Sequence, residues 1–289
     1  MKRRYILASL WLVIALLLLM ILASSLKGSK LNWGNLFDWK SYVSANFDDG
    51  DYFFKYNNPA PMKNAYFTEG LNAVEVELKS IPLEITTSPD TMIHADFFDG
   101  ADNFCTFTKT NNKLVVKEKK GFGLSAKKLL RGNIKMSLPA SFDGKVKIES
   151  VSGAVRVNGL KQDSIDIETI SGSIVFWDCE IGEVKSDSVS GSQKIGGNFA
   201  SVNAETVSGS IELNADKPLL QNSEFSSVSG SILLNLLKSS DYTVYFDTVS
   251  GSFRDDITGV SGKKSGSSRN GSGNVKIDVS TVSGSIKIQ

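Results

Sequence analysis

The sequence has few of the residues on which metal binding and histidine-based catalysis depend. Its 289 residues include one histidine, His94, and two cysteines, Cys105 and Cys179. A structural zinc site takes four cysteine or histidine ligands, so such a site is excluded. A small scaffold held by several disulfides is excluded as well. One disulfide between Cys105 and Cys179 stays open, because the sequence does not give the distance between their Cα atoms.

Net charge and proline are also scarce. The chain carries 32 lysines and arginines against 31 acids, a formal charge of +1, which argues against a strongly basic nucleic-acid binder. Only one of the six prolines, Pro218, follows residue 150, whereas 28 of the 40 serines and 16 of the 25 glycines do. Such a composition is typical either of a flexible linker or of one turn chemistry repeated many times.

The N-terminus predicts a membrane anchor. Residues 1–4 hold three basic side chains, and residues 5–24 form an uncharged, mostly apolar run about 30 Å long as a helix, which matches the hydrocarbon core of a bilayer. We predict a cytoplasmic tip at 1–4 and an uncleaved transmembrane signal anchor at 5–24, with the rest outside the cell membrane. A cleaved signal peptide is the alternative. Residues 25–69 form an aromatic-rich linker.

The remaining residues, 70–289, are predicted to form one extracytoplasmic β domain. Between 70 and 144, apolar residues alternate with polar ones in short runs such as Val74, Val76 and Leu78. Breaks rich in Asp, Asn, Gly and Pro recur about every 10 residues. This period of two predicts successive half-buried strands.

From residue 145 a tetrad of Ser/Thr, Val/Ile, Ser and Gly recurs seven times. Intervals between its glycines are 19, 19, 18, 21, 21 and 33 residues. The glycines, position 0 of the frame, are Gly153, Gly172, Gly191, Gly209, Gly230, Gly251 and Gly284. Three positions earlier stands a hydroxyl residue each time: Ser150, Thr169, Ser188, Thr206, Ser227, Thr248 and Thr281.

The repeat predicts an all-β fold, a single-stranded β-helix (β-solenoid) of about seven coils over 145–289. Alternating positions −7, −5 and −3 form one strand, Ser-Gly turns a corner, and positions +2 and +4 lie on the next strand. Units of about 20 residues bury their apolar face only by stacking. Glycine at the corner allows either a positive φ or close approach of the next coil, and the position −3 hydroxyls would form a ladder.

The last interval of 33 residues predicts an excursion from the stack. Residues 261–273 are rich in glycine and serine, and we expect a flexible loop there. The final coil, 275–288, would then end the stack and present an open edge. Self-association through that edge is one possible contact, and coverage by the loop is the alternative.

Residues with catalytic or metal-binding chemistry do not form a pattern. His94 lies in a strand-like context, and the position −6 residues vary in kind: Asp166, Lys185, Asn203, Glu224 and Tyr245. Carboxylates at 48–51 and at Asp96, Asp99 and Asp102 lack calcium-loop spacing, which favours solvated loops. For one basic group the alternatives are contact with lipid headgroups or wall polymers and simple solvation; it consists of Lys117, Lys119, Lys120, Lys127, Lys128, Arg131 and Lys135. We expect no catalytic, metal or cofactor residue.

These motifs resemble a bacterial family. The repeated Thr-Val-Ser-Gly-Ser-Ile, the segment Met136-Ser137-Leu138-Pro139 and the Gly/Ser loop before the last coil are similar to the putative-adhesin family, a domain of unknown function built on a β-helix. The resemblance covers roughly residues 70–289. It implies surface adhesion and brings no catalytic or ligand residues. With one N-terminal anchor, the chain is also similar to LiaG-type envelope proteins.

Three functions follow as hypotheses. The first is a non-enzymatic, membrane-anchored β-solenoid that presents a binding surface to a protein or wall polymer of the bacterial envelope. The second is an accessory or regulatory protein of an envelope-stress system that acts through a membrane partner. A glycan-cleaving β-helix enzyme ranks last, because position −6 carries no column of acids.

Overall fold

A computed structural model describes residues 63–67, 70–98, 105–119 and 132–289. These residues lie within one compact unit, Tyr56–Gln289, and their regular structure is all β. Within them, no helix is long and apolar enough to cross a membrane. The predicted anchor at 5–24 and most of the linker at 25–69 lie outside the described residues.

Within the described residues, twenty-one strands follow one another. They are β1 Lys63–Phe67, β2 Ala73–Leu78, β3 Leu83–Ser88, β4 Ile93–Phe98, β5 Cys105–Thr110, β6 Lys113–Glu118, β7 Asn133–Pro139, β8 Lys145–Ser150, β9 Val155–Asn158, β10 Lys161–Thr169, β11 Ile174–Ser188, β12 Gln193–Thr206, β13 Ile211–Ala215, β14 Ser223–Ser227, β15 Ile232–Asn235, β16 Tyr242–Thr248, β17 Ser252–Asp255, β18 Ser261–Gly262, β19 Ser265–Asn270, β20 Val275–Thr281 and β21 Ser285–Ile288.

Each coil consists of a strand before the corner and a strand after it. The strands before the corner pair in parallel from coil to coil and build the first face of the stack, as β8 does with β2 and β10. Those after the corner build the second face in the same way, as β9 does with β3 and β11. In the middle coils a third face joins the second to the first through residues 161–164, 180–183 and 198–201.

The core lies inside the coils, where the period of two predicted it. At position −5 Ile148 and Ile167 are buried in neighbouring coils, and at position +2 Val155 and Ile174 are buried. Each such aliphatic side chain contributes about 1.5–3 kcal/mol when fully buried. Two polar side chains, Ser186 and Gln193, interrupt these columns in one coil.

At the N-terminal end, two further coils precede the Gly-containing repeats. Strands β2 and β3 form a coil that pairs with β8 and β9, and β6 and β7 form another on its far side. The described residues therefore build nine coils, where the repeat predicted about seven. The corner of the β2–β3 coil has Ile81 at the glycine position, so a frame defined by glycine did not reveal it.

At the C-terminal end, the order of the coils departs from the order of the sequence. Strand β20 pairs in parallel with both β14 and β16, and β21 pairs with both β15 and β17. The last coil of the chain is thus inserted between the fifth and sixth repeats. The prediction that the last coil presents an open edge is wrong, because both of its strands are paired on both sides. The edge through which self-association was expected is therefore covered.

The segment 261–273 is a pair of short strands rather than a flexible loop. Strand β18 pairs antiparallel with β17, and β19 pairs antiparallel with β16, so together they cover the outermost coil. A Cβ at Gly262 or at Gly266 would lie 2.7 Å from the Phe246 ring. Glycine is required at both positions because these strands pack directly on that ring, which itself stacks on Phe253 at 3.9 Å between centroids.

The N-terminal end is closed in a similar way. Strand β5 pairs antiparallel with β6, and β4 pairs antiparallel with β7. At the first corner, one carboxylate oxygen of Glu118 accepts hydrogen bonds from the backbone N–H groups of Lys79, Ser80 and Ile81 at 2.7–3.1 Å. Two of these donors, the N–H groups of Lys79 and Ser80, stand at positions −2 and −1, where the N–H groups of later corners bond to carbonyls of an adjacent coil.

Candidate binding surface

Contacts between backbones define the corner of the repeat. A Cβ placed on any of the seven repeat glycines would come closer than 3.0 Å to a backbone carbonyl of the neighbouring corner. None of the seven has a positive φ. Of the two reasons for glycine that the sequence left open, the close approach of neighbouring coils is the one that applies.

Position −3 hydroxyls bond mainly within their own corner. Ser150 and Thr169 donate to the carbonyl of their own glycine at 2.9 Å, and the other five accept from the N–H of their own glycine at 2.7–3.0 Å. All seven are buried. Between coils, the hydroxyl oxygens of Thr169 and Ser188 lie within hydrogen-bond distance of each other, at 3.1 Å. These residues therefore close each corner. Among the described residues, the predicted ladder of hydroxyl groups is limited to the contact between Thr169 and Ser188.

Serines at position −1 connect the coils on the outside. Each serine hydroxyl donates to the position −2 carbonyl of the adjacent coil, at 2.9–3.5 Å, in all seven repeats. The aliphatic residues at position −2 point outward beside them and range from half-buried to exposed, as at Val249. The tetrad thus serves the assembly of the stack through three different positions.

A family comparison agrees with this geometry. Residues 82–289 match the Toastrack DUF4097 family. The chain belongs to this family. The resemblance to the putative-adhesin family of unknown function, carried by the repeated tetrad, is confirmed. No curated protein sequence matches the chain.

Several solved structures have a fold similar to that of this chain. A protein named as a "putative adhesin" from Bacteroides fragilis NCTC 9343 superposes with a TM-score of 0.52 at 16% identity, covering 78% of this chain and 96% of that one. A "putative cell adhesion protein" from Clostridium sporogenes ATCC 15579 gives 0.38 at 12% identity, covering 79% and 99%. A "putative lipid binding protein" from Parabacteroides distasonis ATCC 8503 gives 0.45 at 15%, covering 80% and 98%. At these identities the likeness concerns the fold alone.

The residues singled out for chemistry are scattered over the Toastrack domain. His94 Nε2 lies 2.9 Å from the carboxylate of Asp90, and the hydrogen bond from His94 lowers the pKa of Asp90 to about 2. Cys105 and Cys179 are both buried, and no disulfide joins them, so the bridge that the sequence left open is not formed. Burial raises the pKa of the Cys179 thiol, which lies 3.4 Å from the Val157 carbonyl.

Several other candidates fall outside the described residues. They are residues 48–51, Asp99, Asp102, Lys120, Lys127, Lys128 and Arg131. Of the rest, Lys117 pairs with Glu77 at 2.6 Å, and Asp96 stands opposite Lys135 in the β4–β7 pair. Within the described part, no group of three or more His, Cys, Asp or Glu side chains is arranged to hold a metal ion.

A column of acids does run along the first face, at position −4. Five residues occupy consecutive register positions across five coils: Glu77, Glu149, Glu168, Asp187 and Glu205. This column was not predicted, although the alignment on the repeat glycines contains it two residues after the variable position −6. Neighbouring strands lie about 4.8 Å apart, so stacked carboxylates repel one another.

Lysines at neighbouring positions balance most of this column. Lys147 Nζ lies 2.8 Å from Glu149 and 3.4 Å from Glu168, and Lys185 lies 3.2 Å from Asp187. No lysine is recorded within ion-pair distance of Glu205 among the described residues. Burial, and then the charges of Asp187 and Glu224, raise the pKa of Glu205. Most carboxylates of this column are therefore paired with a lysine, whereas the last one, Glu205, has no cation close to it in the described part of the chain.

Replacing Glu205 by glutamine is expected to stabilise the domain by about 0.5 kcal/mol at pH 7. A raised pKa means that ionisation of Glu205 costs stability in the folded state, and that this cost fades as pH falls through the raised value. The advantage of Glu205→Gln should therefore shrink near pH 4.5, the ordinary pKa of a glutamate. Urea unfolding of both proteins at the two pH values measures it.

Glu75→Gln is the matched control. A hydrogen bond from Lys113 lowers the pKa of Glu75, so its ionised form favours folding and the substitution should lower stability at pH 7. A loss of stability in Glu205→Gln at pH 7, equal to that of the control, would contradict the assignment.

Proposed function

We propose that this Toastrack protein is a non-enzymatic binding protein of the bacterial cell envelope. Residues 5–24 anchor it in the cell membrane as a single pass, with residues 1–4 in the cytoplasm and the solenoid outside. The solenoid presents its faces to an envelope protein or a wall polymer. No cofactor is needed for this role.

One observation carries the proposal: both ends of the nine-coil stack are closed by antiparallel strands, while its sides stay open. Side chains at equivalent positions then form columns with a spacing of about 4.8 Å along each face. Such columns offer a long, regular surface to an extended or repetitive partner. The name "putative adhesin", given to structural relatives, is in keeping with this role.

Two measurements test the proposal. With an epitope placed after Gln289, protease added to intact spheroplasts should remove the epitope, because the solenoid is outside. The purified full-length chain in detergent should sediment with isolated cell envelopes. A chimera of residues 1–62 joined to an unrelated domain is the control, and it should not sediment.

The outcomes separate the hypotheses. An epitope protected in intact spheroplasts would contradict the extracytoplasmic location. Envelope binding by the chimera equal to that of the full chain would contradict a role for the solenoid. Crosslinking that recovers a membrane protein, with no sedimentation on protein-free wall material, would favour the accessory role in envelope stress instead.

A further inference from the structure

The corners of the seven repeats form an uncharged strip along one edge of the solenoid, which we call the corner strip. It consists of positions −2 to +1, which hold only valine or isoleucine, serine, glycine and, once, alanine. An aliphatic side chain points outward at position −2 of every coil; in the order of the stack these are Val151, Ile170, Val189, Val207, Val228, Val282 and Val249. Val151 and Val249, at the two ends, are 43% and 66% exposed, and the other five are half-buried.

The polar groups of the corner strip are already paired within the stack. In all seven coils the N–H groups at positions −2 and −1 donate to carbonyls of an adjacent coil. Each serine hydroxyl at position −1 does the same. Covering the strip would therefore leave none of these donors without a partner, while it would remove the aliphatic side chains from water.

Charges of opposite sign line the two sides of the corner strip. On the first face, position −4 carries an acid in five of the seven coils: Glu149, Glu168, Asp187, Glu205 and Asp247. On the second face, position +3 carries a base in four of them: Arg156, Lys194, Lys287 and Arg254. The lysines that pair with the acids, Lys147 and Lys185, stand at position −6, farther from the strip. A fitting partner must therefore be basic along one side and acidic along the other, which a bilayer with anionic headgroups is not.

A second copy of this chain carries the matching charges. If two strips pack with parallel solenoid axes, about a two-fold axis that runs along the strip, the acidic side of each copy lies opposite the basic side of the other. Three pairs of opposite charge then form on each side: Glu149 with Arg156, Asp187 with Lys194, and Asp247 with Arg254. Glu205 opposite Glu212 is the one pair of like charge. Antiparallel strips would instead place acid opposite acid along their length.

The spacing of the coils keeps such a contact in register, and its size indicates a weak one. Both copies repeat every 4.8 Å or so, and the seven coils span roughly 30 Å. With the charged rows on its two sides, the strip covers roughly 600 Å² per copy, somewhat less than the about 800 Å² per partner that a stable interface buries.

We propose that two copies of the chain associate through the corner strip as a parallel, two-fold symmetric dimer. This association goes beyond the proposed binding function, because it concerns the chain's contact with itself and doubles the number of faces that one assembly presents. The proposed anchor would hold two copies in the same orientation and raise their effective concentration, which suits a weak parallel contact.

Cysteine crosslinking of the full-length chain in detergent tests the arrangement. In a parallel dimer each end of the strip meets the same end of the other copy, so Val151→Cys and Val249→Cys should each form a disulfide-linked dimer alone. Copper–phenanthroline catalyses the step, in which the two thiols lose two electrons and two protons to oxygen. Leu220→Cys, at a position 73% exposed outside the strip, is the control and should stay monomeric. Crosslinking only in a mixture of the two strip variants would indicate antiparallel strips and overturn the proposal.

A charge exchange tests the partner surface. Lys194 is exposed and has no ion-pair partner among the described residues. Lys194→Glu should weaken dimerisation at least about tenfold in sedimentation equilibrium, because like charges then meet on both sides of the strip. Adding Asp187→Lys restores opposite charges and should recover most of the loss. Lys217→Glu, the same change of charge at an exposed position outside the strip, is the control and should dimerise normally.

Folding and other contacts are checked separately. All variants should unfold at the temperature of the parent chain. A dimerisation constant that Lys194→Glu leaves unchanged would mean that the copies associate elsewhere, for example through residues 5–24, and would overturn the proposal. Quenching of a fluorophore on Val249→Cys by nitroxide lipids in vesicles, without crosslinking, would assign the strip to the bilayer and overturn it as well. A monomeric parent chain that still sediments with envelopes would remove the dimer and leave the proposed function standing.

Discussion

Gly209→Val is expected to lower the free energy of unfolding by about 4 kcal/mol or more, enough to prevent folding at 37 °C in many domains. A Cβ at Gly209 would stand 2.8 Å from the carbonyl carbon of Gly191, and closer still to its oxygen. Both are backbone atoms held in the stack by hydrogen bonds on either side, so neither has room to move. Thermal unfolding of the full-length chain, followed by circular dichroism, measures the loss.

Gly196→Ala is the matched control for this prediction. Its Cβ would meet only the Phe176 carbonyl, at 3.2 Å, and its φ is not positive, so little change is expected. Gly209→Ala should fall between the two variants. If Gly209→Val accumulates as folded protein and melts at the temperature of the parent, the close approach of corners is not what requires glycine.

Asp255→Ala should produce the second large loss, about 3 kcal/mol. Asp255 is 1% exposed and stands at position +4, where other coils have an apolar residue. Its carboxylate accepts hydrogen bonds from the Tyr242 and Ser268 hydroxyls at 3.1 and 2.7 Å, and from the N–H groups of Ile257 and Thr258 at 2.9 and 3.2 Å. Alanine would leave all four donors without this partner. Urea unfolding measures the difference.

Two control variants distinguish the loss of the hydrogen bonds to Asp255 from the loss of one negative charge. Asp255→Asn keeps an acceptor for the backbone donors, and the two hydroxyls can turn to meet its NH₂ group, so the loss should be smaller. Asp256→Ala removes the adjacent, exposed acid and should change stability little. Equal stability of Asp255→Ala and Asp256→Ala would contradict a structural role for the buried carboxylate. Burial, and then the charge of Asp255, raise the pKa of Tyr242, so its hydroxyl remains a donor at neutral pH.

Inward and outward positions were predictable, because the period of two assigns each side chain to one face of a strand. Ile211 and Leu213 in β13 are buried as predicted, with Glu212 half-buried between them. The sequence also shows that two inward positions carry polar residues, Gln193 and Asp255. It does not show which groups these side chains bond to. The side-chain amide of Gln193 donates to the Glu205 carbonyl at 2.6 Å, in a neighbouring coil. Such contacts depend on which segments lie side by side.

The glycine and serine content of residues 261–273 predicted a flexible loop, which is wrong because glycine and serine serve packing there. Gly262 and Gly266 make room for the Phe246 ring, and Gly273 donates its N–H to Asp241 in a tight turn with φ +76°. Ser272 also donates to Asp241, at 2.7 Å. In a sequence, these residues look the same as a flexible linker. Only the neighbours that they contact distinguish the two.

By itself, the sequence of the second half determined one feature: a corner that recurs in a fixed frame, with some side chains inside the coil and others outside it. This feature accounts for the high serine and glycine content and for the near absence of proline. The sequence did not determine the order in which the coils stack. Every repeat has the same frame, so the edge of β14 is complementary to β16 and to β20 alike. Strands β18 and β19 cover the outer coil, and the chain returns from them to pair β20 between β14 and β16. Because that choice depends on contacts across more than 50 residues of chain, only the tertiary structure reveals it.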